Sequence, residues 1–113
     1  MRATLEDRQR LINETKRIVE QIKNLGAVKV ILFGSLTRQE ISLFSDIDLL
    51  VLFEGDRSSH DLGLWVYQNL DTSEAVDILA YNTSSFESIQ KRPFIRHILG
   101  EGKVLYEKPE IRG

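Results

Sequence analysis

Three aspartates and a glycine–serine pair are the residues of this chain whose types and spacing could do chemistry. Asp46 and Asp48 stand two apart at the head of the apolar run Asp46–Phe53. Side chains two apart on a strand share a face, so both carboxylates converge while Ile47 between them points into the core. An acid pair at the mouth of a strand repels itself unless a cation or hydrogen-bond donors neutralise it. Asp77, in Ala75-Val76-Asp77-Ile78-Leu79-Ala80, is a lone acid within an otherwise apolar strand and would be costly to bury unpaired. If that strand lies beside Asp46–Phe53, the three acids make a cluster suited to magnesium or manganese, with water and substrate phosphate completing the coordination. Such a cluster serves phosphoryl or nucleotidyl transfer, in which metal ions hold a triphosphate and activate the attacking oxygen.

Gly34 and Ser35 supply the complementary part. They follow the apolar run Val28–Phe33 and precede Asp46 by ten residues. A glycine lets the backbone turn sharply and approach a ligand, and the N-terminus of a following helix presents free N–H groups to a phosphate. Ser35 adds a hydroxyl, and Arg38 is placed to reach the same phosphates or to pair with the acids. Each feature alone has a plainer reading: a turn, a solvated strand end, a buried acid paired with a base. Their order and spacing favour a metal-dependent nucleotide site.

The elements that must position these residues can be read in outline. Apolar residues at Leu11, Ile12, Ile18, Val19, Ile22 and Leu25 make a helical stripe from Leu5 to Leu25, and Gly26 is placed to end it in a left-handed cap. Val28–Phe33 is the first strand, Leu36–Ile41 a short helix or single turn, and Asp46–Phe53 the second strand, closed by Glu54-Gly55-Asp56. Ser58 or Ser59 caps a helix through Leu70, and Ala75–Tyr81 is a third strand. Thr83, Ser84 and Ser85 are alternative caps for a helix covering Phe86, Ile89 and Gln90. Pro93–Leu99 forms another, stopped at Gly100, and Lys103–Tyr106 is a last strand at an edge. Helices alternate with strands, so the fold class is α/β or α+β, a small mixed sheet flanked by helices.

Composition narrows the function. A chain of 113 residues supports one domain, taken as residues 1–113 with 106–113 as a frayed tail. The absence of cysteine excludes thiolate metal sites, cysteine nucleophiles and disulfide frameworks. A net charge of -2 gives no global pull toward nucleic acid or an acidic membrane, so a phosphate-bearing ligand must be held locally and direct nucleic-acid binding is not expected. With no apolar run of membrane-span length and no apolar leader, the expected location is cytoplasmic. His60 and His97 show no metal-ligand spacing, and Lys91, Arg92 and Arg96 read first as a solvated helix face. Trp65 and Tyr67 read as packing residues.

Phe33-Gly34-Ser35, ten intervening residues, Asp46-Ile47-Asp48 and the later strand acid Asp77 together resemble the polymerase-beta-like nucleotidyltransferase superfamily, in particular its minimal members, which are often paired with a HEPN-domain protein. Ser45-Asp46-Ile47-Asp48-Leu49-Leu50-Val51 and Glu101-Gly102-Lys103-Val104-Leu105-Tyr106 extend the resemblance over nearly the whole chain. It implies a polymerase-beta-like fold, metal ligation and catalysis by Asp46, Asp48 and Asp77, and nucleotide-phosphate binding by Gly34, Ser35, Arg38 and Ser45. It further implies Mg2+, or Mn2+, as cofactor and ATP as substrate, with AMP passed to a hydroxyl. The acceptor it suggests is a tyrosine of a HEPN-type toxin, which would make this chain the antitoxin. Thr37-Arg38-Gln39 departs from the Ala-Arg-Gly common in the family. The chain has no room for an acceptor-binding domain, so the acceptor must be presented by a partner or across a homodimer. Two rival functions are an antitoxin that masks its partner without catalysis and transfer to a small molecule.

Overall fold

The computed structural model describes residues 4–38 and 46–109. Helix α1 spans Leu5–Asn24. Its start is fixed by a capping box: Thr4 Oγ1 accepts from the Asp7 amide at 3.1 Å, and Asp7 Oδ2 accepts from the Thr4 amide at 3.0 Å. Its end is a left-handed Gly26 at φ 105°, with Gly26 N–H donating to Lys23 O and Ala27 N–H to Ile22 O, the paired bonds of a glycine-terminated helix. The buried stripe is Leu11, Glu14, Thr15, Ile18, Val19 and Ile22. Ile12, expected in that stripe, is 42% exposed, because it falls beside the arc that Leu11, Thr15 and Ile18 turn toward the sheet.

Four strands follow, β1 (Lys29–Phe33), β2 (Ile47–Phe53), β3 (Val76–Asn82) and β4 (Lys103–Glu107), in the spatial order β3-β2-β1-β4. β1 is antiparallel to both β2 and β4, whereas β2 and β3 are parallel and joined by helix α2 (Ser59–Gln68). The sheet is therefore mixed, with β4 on one edge as its late, short sequence suggests. β4 runs through Tyr106 and Glu107, which pair with Val30 and Lys29, so the first two residues of the expected tail belong to the sheet.

Alternation along the strands divides the core in two. Val30, Leu32, Ile47, Leu49, Val51, Phe53, Ile78 and Ala80 pack with α1 and with Leu62 and Val66 of α2. Ile31, Leu50 and Leu52 face the other way, toward helix α3 (Thr83–Ile89) and helix α4 (Pro93–Glu101) through Phe86, Ile95 and Ile98. β2 is thus covered on both faces, which is why Leu49-Leu50-Val51-Leu52 has no polar position.

Three local expectations shift. The cap of α3 is Asn82, whose Oδ1 accepts from the Ser85 amide at 2.7 Å, and not one of the three hydroxyls after it. α4 runs past Gly100 to Glu101, since a glycine with open space around it does not stop a helix that buries Ile95 and Ile98. Among the described residues a 3-10 turn, Gly34–Thr37, follows β1, two residues earlier than the short helix or single turn expected over Leu36–Ile41, whose residues 39–41 lie outside the described residues.

Candidate active site

The three aspartates come together at one end of the sheet. Asp48, the second residue of β2, stands opposite Phe33 of β1 in the antiparallel pair and opposite Asp77 of β3 in the parallel pair. Asp48 shares the parity of Leu50 and Leu52, and Asp77 that of Leu79 and Tyr81, so both lie on the α3–α4 side of the sheet. Asp46 is exposed at the entry to β2, and Ile47 is fully buried in the opposite core, as the alternation requires.

Burial distributes the charge cost unevenly. Asp77 is exposed, so the penalty expected for a buried lone acid does not fall on it. It falls on Asp48, which is half-buried: desolvation first, then the charges of Asp77 and Asp46, push its carboxyl up to about 6.

Gly34 follows Phe33 directly and binds the turn to this carboxylate. Its φ of 75° lies in the left-handed region, and a Cβ built on it would overlap Asp48 Oδ2 and stand 3.0 Å from Asp48 Cγ. Glycine is needed here twice, for the turn and for the close approach. Thr37 Oγ1 donates to Gly34 O at 2.6 Å and Arg38 N–H donates to Ser35 O at 3.1 Å, closing the turn. As a 3-10 turn it offers a few amides to an anion but little aligned dipole, less than a helix terminus would.

Arg38 has a partner that the sequence did not suggest. Its guanidinium donates to Glu101 Oε2 at 3.2 Å, and Gly34 N–H donates to Glu101 Oε1 at 3.3 Å. Glu101 closes α4, and Gly102 after it is pinned: a Cβ there would come within 2.6 Å of Ile31 Cγ2 and of Ile98 O. Tyr67 has a second unforeseen contact. Its hydroxyl accepts from Ile78 N–H at 2.8 Å and donates to Val76 O at 3.4 Å, clasping the outer edge of β3 on either side of Asp77. Tyr67, expected to pack, instead makes these hydrogen bonds with its side chain half-exposed, whereas Glu101 lay within a stretch that carried the resemblance without a role. Trp65 is a packing residue, edge-on to Phe53 with ring centroids 5.6 Å apart. Ser45 lies outside the described residues.

The donor set has the chemistry of a divalent cation site, since it is all carboxylate and mutually repelling, with Gly34 close against Asp48. Among the described residues no three His, Asp or Glu side chains are gathered tightly enough to enclose a metal as they stand. The acids are neighbours on adjacent strands and not a closed cage.

A small mixed sheet with an acid pair at the head of one strand, a third acid beside it and a glycine turn against them defines a nucleotidyltransferase domain, and the chain belongs to that family: it matches Polymerase beta, Nucleotidyltransferase over residues 13–111. Among its relatives is a Methanocaldococcus jannaschii protein provisionally named a protein adenylyltransferase, 38% identical over 74 residues that make up 64% of this chain and 80% of that protein. A crystal structure from Sulfolobus solfataricus, provisionally described as a nucleotidyltransferase, shares the fold with a TM-score of 0.65 at 20% identity, covering 91% of this chain and 86% of that one. No helix among the described residues is long and apolar enough to cross a membrane.

Proposed function

We propose that this nucleotidyltransferase uses a divalent cation, Mg2+ or Mn2+, to transfer AMP from ATP to a hydroxyl of a protein acceptor. The observation that carries the reading is the close approach of the left-handed Gly34 turn to the Asp48 carboxylate at the acid tip of β2. Asp46, Asp48 and Asp77 would hold the cation. Gly34 N–H, Ser35 and Arg38 would hold the triphosphate, joined by Ser45 on the strength of the resemblance. Bound there, the cation would supply positive charge to the triphosphate and to the attacking oxygen. In the reaction the acceptor hydroxyl's oxygen bonds to the α-phosphorus as its proton is released to solvent, the bond from that phosphorus to the bridging oxygen of the β-phosphate breaks, and pyrophosphate leaves. Asp48 is the shielded acid next to the turn, whereas Asp46 and Asp77 are exposed and would be the first met by an acceptor arriving from solvent.

The protein acceptor is supported by the name of the Methanocaldococcus relative. A HEPN-type toxin as that acceptor, with this chain as antitoxin, is supported by the family resemblance. The test uses ATP labelled at the α- or the γ-phosphate, with purified partner protein and Mg2+. Label should move to the partner from the α position only, and Asp46→Asn or Asp48→Asn should abolish it. Transfer that survives either change would overturn the site assignment. Neutralisation of the partner with no label transferred would favour masking without catalysis.

A further inference from the structure

We infer that Glu101 is a built-in anion that occupies the phosphate-binding donors of the free protein and is exchanged for the nucleotide's phosphate, so that nucleotide affinity is set by competition with this carboxylate. The inference rests on the phosphate role proposed for Gly34 and Arg38.

Both carboxylate oxygens are engaged at once. Oε1 takes Gly34 N–H at 3.3 Å and Oε2 takes the Arg38 guanidinium at 3.2 Å. A backbone amide and an arginine are the donors that bind a phosphate oxygen pair, and a carboxylate offers them two anionic oxygen acceptors in the same way. Hydrogen bonding to Arg38, followed by the Gly34 amide and the charges of Arg38 and His97, holds the Glu101 carboxyl below its ordinary range, so it is an anion at neutral pH.

The placement is built and not incidental. Glu101 is fixed from below by Gly102, whose N–H donates to Ile98 O at 2.7 Å and whose Cα is packed too closely against Ile31 to carry a side chain. With Gly102 packed against Ile31, the exchange takes the form of a swing of the Glu101 side chain. A second partner stands one helical turn back: His97 Nε2 is 3.4 Å from Oε2, on a side chain 65% exposed. Rotating toward His97 frees the Gly34 amide and Arg38 while keeping a polar partner for the carboxylate. A triphosphate arriving without that rotation would place like charges against each other on the same two donors.

A plainer role, in which Glu101 only steadies Arg38, makes the opposite prediction, because its loss would weaken phosphate binding. The test measures binding of α,β-methylene-ATP, inorganic tripolyphosphate and adenosine, in Mg2+, to the wild-type protein, Glu101→Gln and Glu101→Ala. Both variants should bind the two phosphate probes several-fold more tightly and adenosine no differently, whereas a general structural change would move all three. Equal or weaker phosphate binding by the variants, with wild-type binding intact, overturns this inference and leaves the proposed site standing. If neither wild type nor variants bind any phosphate probe, the site assignment falls as well. Binding by the variants alone would support the exchange in its strongest form.

Discussion

Replacing Asp48 by asparagine should stabilise the cation-free protein, and only above a definite pH. The Asp48 carboxyl rises from 3.8 to about 6 in the fold. Between those values the native state keeps a proton that the unfolded chain has released, so stability falls as pH rises through the window and the cost is complete above about 6. A shift of about two units at ~1.4 kcal/mol each gives about 3 kcal/mol, and partial solvent access reduces this to about 2 kcal/mol. For a chain of this length that is about 8 °C in Tm. Scanning calorimetry with a chelator present, at steps from pH 4 to pH 8, should show Asp48→Asn near wild type at the acid end and about 8 °C above it at the alkaline end. A gain that does not change with pH, or a variant less stable than wild type at pH 8, would refute the reasoning from carboxylate crowding. Adding Mg2+ at pH 8 should raise the wild-type Tm and leave Asp48→Asn unmoved.

Other consequences can be checked independently. Glu14 is buried in α1, salt-bridged to Arg17 at 2.7 Å and taking the Ser73 amide, and these hydrogen bonds hold its carboxyl at about 2. Its contribution is present above the unfolded value of 4.5 and lost as pH falls toward 2, so Glu14→Ala should cost about 2 kcal/mol in urea unfolding at pH 7 and much less near pH 3. Gly34→Ala must adopt a left-handed conformation, at about 1–2 kcal/mol, and displace Asp48; circular dichroism should show the fold intact while Mg-ATP no longer raises Tm. Gly102→Ala should lose about 1–3 kcal/mol through overlap with Ile31 and Ile98. Gly100→Ala, with open space around it inside α4, should gain about 0.5–1 kcal/mol; equal effects at the two glycines would refute the packing argument.

What the sequence made legible follows from how locally each feature is encoded. Two apolar runs, a glycine–serine pair and acids two apart are short-range signals, and they located β1, β2 and the turn. The pairing of Asp48 with Asp77 depended on β3 lying beside β2, which could be stated only as a condition. Glu101 was invisible as a site residue because its meaning lies in Gly34 and Arg38, more than sixty positions away. Glu14 and Thr15 were passed over for the α1 stripe because they are polar; a salt bridge to Arg17 and a hydroxyl bond from Thr15 to Leu11 O make their burial tolerable. Ile12 was admitted because it is apolar, though its angle on the helix turns it aside. Asn82 lost out to three serine and threonine candidates that follow it, a choice set by where β3 ends and not by cap preference.

The burial of β2 on both faces has a consequence for motion. Asp46 and Asp48 stand at the tip of the strand whose opening would require the largest part of the core to come apart, so its amides should be among the slowest to exchange with solvent. Glu101 and Arg38 meet at the last turn of a short helix and the exit of a 3-10 turn, where their side chains can reorient without opening the core. In the proposed site, one half is therefore a fixed anvil and the other a soft jaw: the acids would wait in place, and fitting the nucleotide would fall to the side chains that can reorient within a binding event.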